Sequence, residues 1–496
     1  MPHDALHDIE LILRSRHGLV YLDTAEETRA GTLLWHVADR LGIPFFTWTR
    51  SGGLRRDGMA DPVYDTQEVA KALRHVASAG IEAVYHFVSL APSLAGQDLL
   101  IALARDAANS LQRLDGAVIM TGDHVELPAP LKEVAASVSL PGPSNEEFSQ
   151  LLGDIARDLS RVTHVDISLS SSEQAALVKQ LSGLTLMEAE KVLTKAMIED
   201  GALTSDDIGH VLEAKRRIVE REGLLEYYPA EHALADVADL AGLKSWLAKR
   251  TAVVREPERA REFGLTFPKG VLLLGVPGCG KSLSAKAVAS EWGLPLLKLD
   301  PSNLYNKYIG ESERNFKRAV QVAERMAPVV LWIDELEKAF ASGGGEDGGV
   351  AKRVLGSFLS WMQDRTGDVF VVATANDIGA LPPEFLRKGR FDEIFFVDLP
   401  DRAVREEIFR IHLERRERDP ADIDVATLAA HAEGFSGSEI EEVVVSGLYT
   451  AFAAGTALDT ATLGREVAAT RPLAVTMREK IDAMRVWAAD RAVRAN

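Results

Sequence analysis

Gly275-Val276-Pro277-Gly278-Cys279-Gly280-Lys281-Ser282 satisfies the pattern GxxxxGK[ST] at every fixed position. It lies between an apolar run, Val271 to Leu274, and a helical stretch that opens at Leu283 and reaches Trp292. Residues of these types at this spacing can hold the phosphates of a nucleotide. The glycines let the backbone curl so that successive N–H groups, including those opening the helix, point inward at the β- and γ-phosphates. Lys281 adds positive charge, and the Ser282 hydroxyl is placed to ligate Mg²⁺.

Other residues supply what hydrolysis would need. Asp334 and Glu335 follow the apolar run Val329-Val330-Leu331-Trp332-Ile333. Beside a phosphate loop, Asp334 would hold Mg²⁺ through water and Glu335 would polarise the attacking water. Asn376 ends a further apolar run, Val369 to Ala375, where its amide can orient that water and contact the γ-phosphate. Arg387 and Arg390 sit in Leu386-Arg387-Lys388-Gly389-Arg390-Phe391-Asp392, a Gly-containing loop with the reach to aim a guanidinium at transition-state charge.

Positioning these groups requires strands that end together. The second half alternates apolar strands (Val271 to Leu274, Pro295 to Leu299, Val329 to Ile333, Val369 to Ala373, Glu393 to Val397) with amphipathic helices, which predicts an α/β fold with a helix-covered parallel sheet. In such a sheet ligands bind at the carboxyl ends of the strands. From about Arg402 onward the pattern is helical, with no further strand expected before Asn496. The Gly-rich stretch Ser342 to Gly349 cannot pack a core and reads as a loop.

The first half repeats the order of these pieces. Gly18-Leu19-Val20-Tyr21-Leu22 parallels Gly270 to Leu274, and Leu41-Gly42-Ile43-Pro44-Phe45 parallels Trp292 to Leu296. Val118 to Asp123 parallels Val371 to Asn376, Ser139-Leu140-Pro141 parallels Asp398-Leu399-Pro400, and Gly183-Leu184-Thr185 with Glu188 parallels Gly434-Phe435-Ser436 with Glu439. Such order indicates a tandem duplication of one domain type. The first copy lacks the chemistry: Asp23 to Ala30 stands where a phosphate loop would be, without glycine and with three carboxylates that repel phosphate. Its third strand, Ala83 to Val88, ends without an acidic pair, and the piece that carries the arginines is missing. No nucleotide binding is expected there.

Composition narrows the class. The 496 residues, 46% hydrophobic, suffice for several domains with sizeable cores. A net charge of −18 argues against a protein built to grip a nucleic-acid backbone. No run of eighteen apolar residues is present and the start, Met1-Pro2-His3-Asp4, lacks a signal-peptide pattern. The expectation is therefore no membrane partner and a cytoplasmic location, which would be a plastid stroma for a plastid-encoded chain. The single cysteine, Cys279, excludes an intramolecular disulfide. Its place before a helix invites a redox reading, set against that of a small side chain tolerated in the loop.

Taken together, Gly275 to Ser282, Leu331 to Glu335, Thr374 to Asn376, Arg387 to Asp392 and Gly434-Phe435-Ser436-Gly437 resemble the AAA ATPases proper, across roughly residues 235 to 460. The resemblance implies a RecA-like core with a small helical lid, ATP and Mg²⁺ as cofactors, and a ring, usually hexameric, in which Arg387 and Arg390 act on a neighbour's ATP. It also implies that Pro277, Cys279 and Leu283 join the loop's glycines, Lys281 and Ser282 around the nucleotide. His412 in Ile411-His412-Leu413 would lie near the nucleoside, with Gly437 opening the lid helix and the segment Asp236 to Leu243 beside the adenine. Lys307 to Glu313 resembles a pore loop whose Tyr308 would grip a protein client. One departure is that no arginine in Gly434 to Glu439 serves as a lid sensor.

More narrowly, the inactive first copy, Trp332 to Lys338, Lys281 to Lys286 and Arg471 to Met477 are similar to the family of hypothetical chloroplast reading frame forty-six. The expected divisions are a degenerate core at 1–160, its lid and linker at 161–229, an active core at 230–400, and a lid with C-terminal helix at 401–496. The implied activity is ATP hydrolysis coupled to protein remodelling. An ATP-regulated adaptor that threads nothing, and a nucleic-acid motor, are the competing readings.

Overall fold

The computed structural model describes residues 5–123, 125–161, 166–167, 169–204, 207–221, 223–228, 238, 240–304, 311–340, 348–365, 367–387 and 389–496. Two compact units divide between Ser205 and Asp206. In the first, strands β1 (Leu19–Asp23), β2 (Phe45–Thr49), β3 (Gly53–Arg56), β4 (Val84–Phe87), β5 (Ala117–Gly122) and β6 (Ala136–Ser139) form a sheet in the order β3-β2-β4-β5-β1-β6. A separate two-strand ladder joins β7 (Asp166–Ile167) to β8 (Ala202–Leu203).

The second unit contains β9 (Leu225–Tyr228), β10 (Gly270–Gly275), β11 (Leu296–Leu299), β12 (Val329–Ile333), β13 (Val369–Ala375), β14 (Glu393–Val397) and β15 (Val493–Arg494). Their order is β15-β14-β10-β13-β12-β11-β9. With the edge strands β3, β9 and β15 set aside, both sheets run fifth, first, fourth, third, second in chain order, and every pairing among those strands is parallel. Two mainly parallel sheets of one topology confirm the tandem α/β fold.

Burial on both faces explains why the central strands read as unbroken apolar runs. Leu272, Leu274, Leu331 and Ile333 enter one core, while Val271, Leu273, Val330 and Trp332 pack on the other with Ala285, Val288 and Trp292 of the helix Lys281–Trp292. A third core, with Phe409, Leu413, Val443 and Val444, holds the C-terminal helices together as a small body of their own. Each unit has a helix entered through a capping box at matching residues, Thr185 with Glu188 and Ser436 with Glu439.

Three expectations need correction. The segment before Pro229, read as linker, is strand β9, paired antiparallel with β11 from Leu296↔Tyr228 to Leu299↔Leu225. The helix Asp207–Glu220 and β9 thus belong to the second unit, and the division falls well before 229. The tail is not purely helical either: β15 adds to the sheet edge beside β14, and Gly242 N–H donates to Ala495 O at 2.8 Å. Two residues are too few to show a period. Finally, strand pairing sets Leu19 level with Gly270, so that Thr24 to Gly31 stand opposite the loop, and Ser139 level with Phe396, one and two residues from the matches read in the sequence.

Superposed by pairing, His86 of β4 occupies the place of Trp332 in β12. It is 1% exposed, and neither ring nitrogen has a hydrogen-bond partner among the described residues. Burial pushes its pKa down to about 4 from 6.5, so the ring is neutral and its two polar atoms are uncompensated. The unfolded chain binds a proton that the folded chain refuses between those values. Stability from this group is therefore present above about pH 6.5 and lost as pH falls toward 4, by roughly 3 kcal/mol. We expect His86→Leu to raise the thermal midpoint of the full chain, with the gain widening from pH 7 to pH 5. An equal or lower midpoint at both pH values would contradict this account.

Candidate functional site

The end of β10 is fixed by close packing. A Cβ on Gly275 would overlap the carbonyl of Val397, whose oxygen accepts Val276 N–H at 3.1 Å. Gly280 stands at φ 85°, a left-handed conformation that L side chains rarely adopt, and opens the helix with no side chain capping it. Asp401 and Ser436 cap two other helices of the unit through side-chain oxygens, whereas those after Leu240 and Glu256 also lack a side-chain cap; what sets Gly280 apart is the cleft its helix opens onto. The first-turn N–H groups after Gly280 are thus offered to an outside acceptor.

Lys281 is 5% exposed and donates to the carbonyls of Gly275 (2.9 Å) and Val276 (2.7 Å). Burial lowers its pKa to about 8. Such a desolvated cation is a strong partner for an anion.

Across the loop, Asp334 Oδ1 accepts the hydroxyls of Ser282 (3.1 Å) and Thr374 (2.5 Å). Thr374 Oγ1 in turn accepts Glu335 N–H at 3.0 Å, steadying Glu335 at φ 51°. The Glu335 carboxylate meets the Asn376 amide at 3.3 Å and Lys338 Nζ at 2.5 Å. Asn376 N–H donates to Glu337 Oε1 at 2.9 Å, and burial raises the Glu337 pKa. Thr374 and Glu337 escaped sequence reasoning as site residues. A threonine two positions before Asn376 was the available signal for the first; nothing local distinguished the second.

The lid helices close the other side of a cleft of about 530 Å³. Ser438 N–H donates to Gly278 O at 3.0 Å, which joins lid to loop. His412 also faces the cleft; burial depresses its pKa, and Arg416 Nη1 donates to its Nδ1 at 3.4 Å. Of the expected residues, Pro277, Gly278, Cys279, Gly280, Lys281, Ser282, Leu283, Asp334, Glu335, Asn376, His412 and Gly437 all line this cleft, with Ala238 and Leu240 from the expected adenine segment. Gly275 sits just behind it. Arg387, exposed, and Arg390, half-buried, are not brought to it. Tyr308, Asp236, Lys388 and most of the Gly-rich stretch lie outside the described residues.

The first unit retains the frame without the groups. Ser89 has φ 53° and its N–H donates to Thr121 Oγ1 at 3.0 Å, as Glu335 does to Thr374. Val88 and Ser89 therefore stand where Asp334 and Glu335 do. No residues are missing from the loop. The helix Glu27–Leu41 starts earlier, so Glu27 to Arg29 wind into a turn in the place of Gly278 to Gly280, and Ala30 and Gly31 replace Lys281 and Ser282. Glu26 Oε1 accepts Leu186 N–H at the first lid helix, and Arg29 grips Glu147 through Nε (2.8 Å) and Nη2 (3.0 Å). Internal charges fill the position that phosphates would take.

Cys279 answers the redox question. Burial pushes its thiol up to about 12, outweighing the favourable charge of Lys281. As the only cysteine of the chain, it should react with an aromatic disulfide reagent at pH 8 at least about a hundredfold more slowly in the folded protein than in denaturant. Equal rates would show an activated thiol.

Comparison with known proteins agrees with this geometry. Residues 271–399 match the model for the ATPase family associated with various cellular activities (AAA). Residues 5–140 match the SpoVK-like AAA ATPase N-terminal domain, and 146–222 its second domain. The chain is 33% identical to "Uncharacterized AAA domain-containing protein ycf46" of Pyropia yezoensis, over 97% of both chains. It is 34% identical to the protein of that name from Guillardia theta, over 97% of this chain and 94% of the relative. In two copies of one fold, only one of which keeps an open phosphate loop, this chain is a member of the AAA ATPases and belongs to the ycf46 family of AAA domain-containing proteins.

Proposed function

We propose that the chain hydrolyses ATP to ADP and phosphate at one site, completed by a neighbouring copy in a ring, and that the cycle remodels a protein client. The convergence of Ser282, Asp334, Glu335 and Asn376 on the uncapped start of the helix Lys281–Trp292 carries this reading. N–H groups of the loop bind the β- and γ-phosphates. Lys281 meets their charge, and an anion there raises its depressed pKa again. Mg²⁺ neutralises phosphate oxygens when bound; the hydroxyl of Ser282 and, through water, the carboxylate of Asp334 are hard oxygen donors suited to it. Glu335 polarises the attacking water, and Asn376 holds that carboxylate in place.

Neither Arg387 nor Arg390 lines the chain's own cleft, so their action on ATP is assigned to a neighbour's site, in a ring taken as hexameric. Threading by Tyr308 rests on the sequence pattern. No described helix is long and apolar enough to cross a membrane, and we place the protein in the cytoplasm, or the plastid stroma for a plastid-encoded chain.

Glu335→Gln should keep ATP bound while turnover falls by roughly 10²-fold or more; unchanged turnover would remove Glu335 from its role. The trapped complex, imaged for ring size and analysed for co-purifying protein, tests assembly and client together. Peptide absent from its channel would favour the adaptor reading. Mixing Arg390→Ala subunits with Lys281→Ala subunits should restore part of the activity that each lacks alone. Failure to do so, with mixed assemblies formed, would confine the site to one chain.

A further inference from the structure

We infer that Arg415, at the lid end of the cleft, is a nucleotide-binding residue whose guanidinium covers the base. This rests on the proposed ATP site. Val404, Ile408, Ile411, His412 and Arg415 form one stripe on and just beyond the helix Arg402–Glu414, and all face the cleft.

The stripe has a direction. Ile408 Cδ1 lies 3.7 Å from where a Cβ of Gly437 would be, and that same position is 3.2 Å from Gly278 O, so Ile408 marks the phosphate-loop end. Arg415 is two turns farther along the stripe, roughly 10 Å at 1.5 Å per residue. A nucleotide with its phosphates in the loop and its base along this stripe would reach Arg415, in a cleft that Ala238 and Leu240 also line.

The neighbouring cation cannot serve. Arg416 is held by Glu441 Oε1 (2.9 Å) and by the carbonyl of His412 (3.1 Å). Arg415 is exposed, and among the described residues no hydrogen bond or ion pair occupies its guanidinium. Its planar, weakly hydrated head stacks well on an aromatic face, which a lysine ammonium cannot imitate. The lid segment Gly434 to Glu439 has no arginine; Arg415, whose charge is felt by Glu441 and His412, is the exposed lid cation that lines the cleft.

Titration calorimetry of the full chain with MgATP and MgADP tests this, with Lys281→Ala as the non-binding control. Arg415→Ala should weaken both nucleotides by the same factor, roughly three- to tenfold, and Arg415→Lys should lose nearly as much. The thermal midpoint should not move, since no bond within the chain is lost. Unchanged affinity in Arg415→Ala overturns the inference. Weakening of ATP alone would assign the residue to the γ-phosphate instead, and full rescue by lysine would replace stacking with charge; either result refutes the base contact. If the unsubstituted chain binds neither nucleotide, the ATP site itself fails, a separate result seen before any Arg415 variant is compared.

Discussion

An α-helix that begins without a cap leaves N–H groups in need of acceptors, and the helix Lys281–Trp292 begins in this way beneath a buried lysine. The surrounding architecture follows from that unmet requirement. The close approach of Gly275 to Val397 ends the strand, the left-handed Gly280 turns the chain, and Lys281 folds onto the loop's own carbonyls. An anion bound at this helix start would meet both the lysine's charge and the first-turn N–H groups. Asp334 and Glu335, delivered by β12, lie within reach of that anion and are tied to β13 by a single hydroxyl, that of Thr374.

The first unit keeps the same frame without the open loop. Its topology, the positive φ at Ser89 and the bond to Thr121 persist. The helix Glu27–Leu41 begins earlier, in the place of the loop, and Arg29 bridges Glu26 and Glu147 there.

Lid and core of the second unit meet through the bond from Ser438 to Gly278 and through the cleft they share. The lid is thus joined directly to the loop that precedes the helix Lys281–Trp292. His412, Arg416 and Glu441 tie two lid helices together at the far end.

Much of this was legible in the residues themselves. The glycine spacing, the acidic pair after an apolar strand and Asn376 after another announced the site, because each depends on local backbone geometry. Five parallels in order revealed the duplication for the same reason. Strand β9 and the two-residue β15 were not legible, since their partners are distant in sequence and their own patterns are too short. The roles of Thr374 and Glu337 likewise emerged only once β12 and β13 were adjacent. Sequence alone determined which groups could do chemistry and which copy had lost them; tertiary structure decided which of those groups share a cleft, because hydrogen bonds and burial between distant segments leave no periodic trace in the chain.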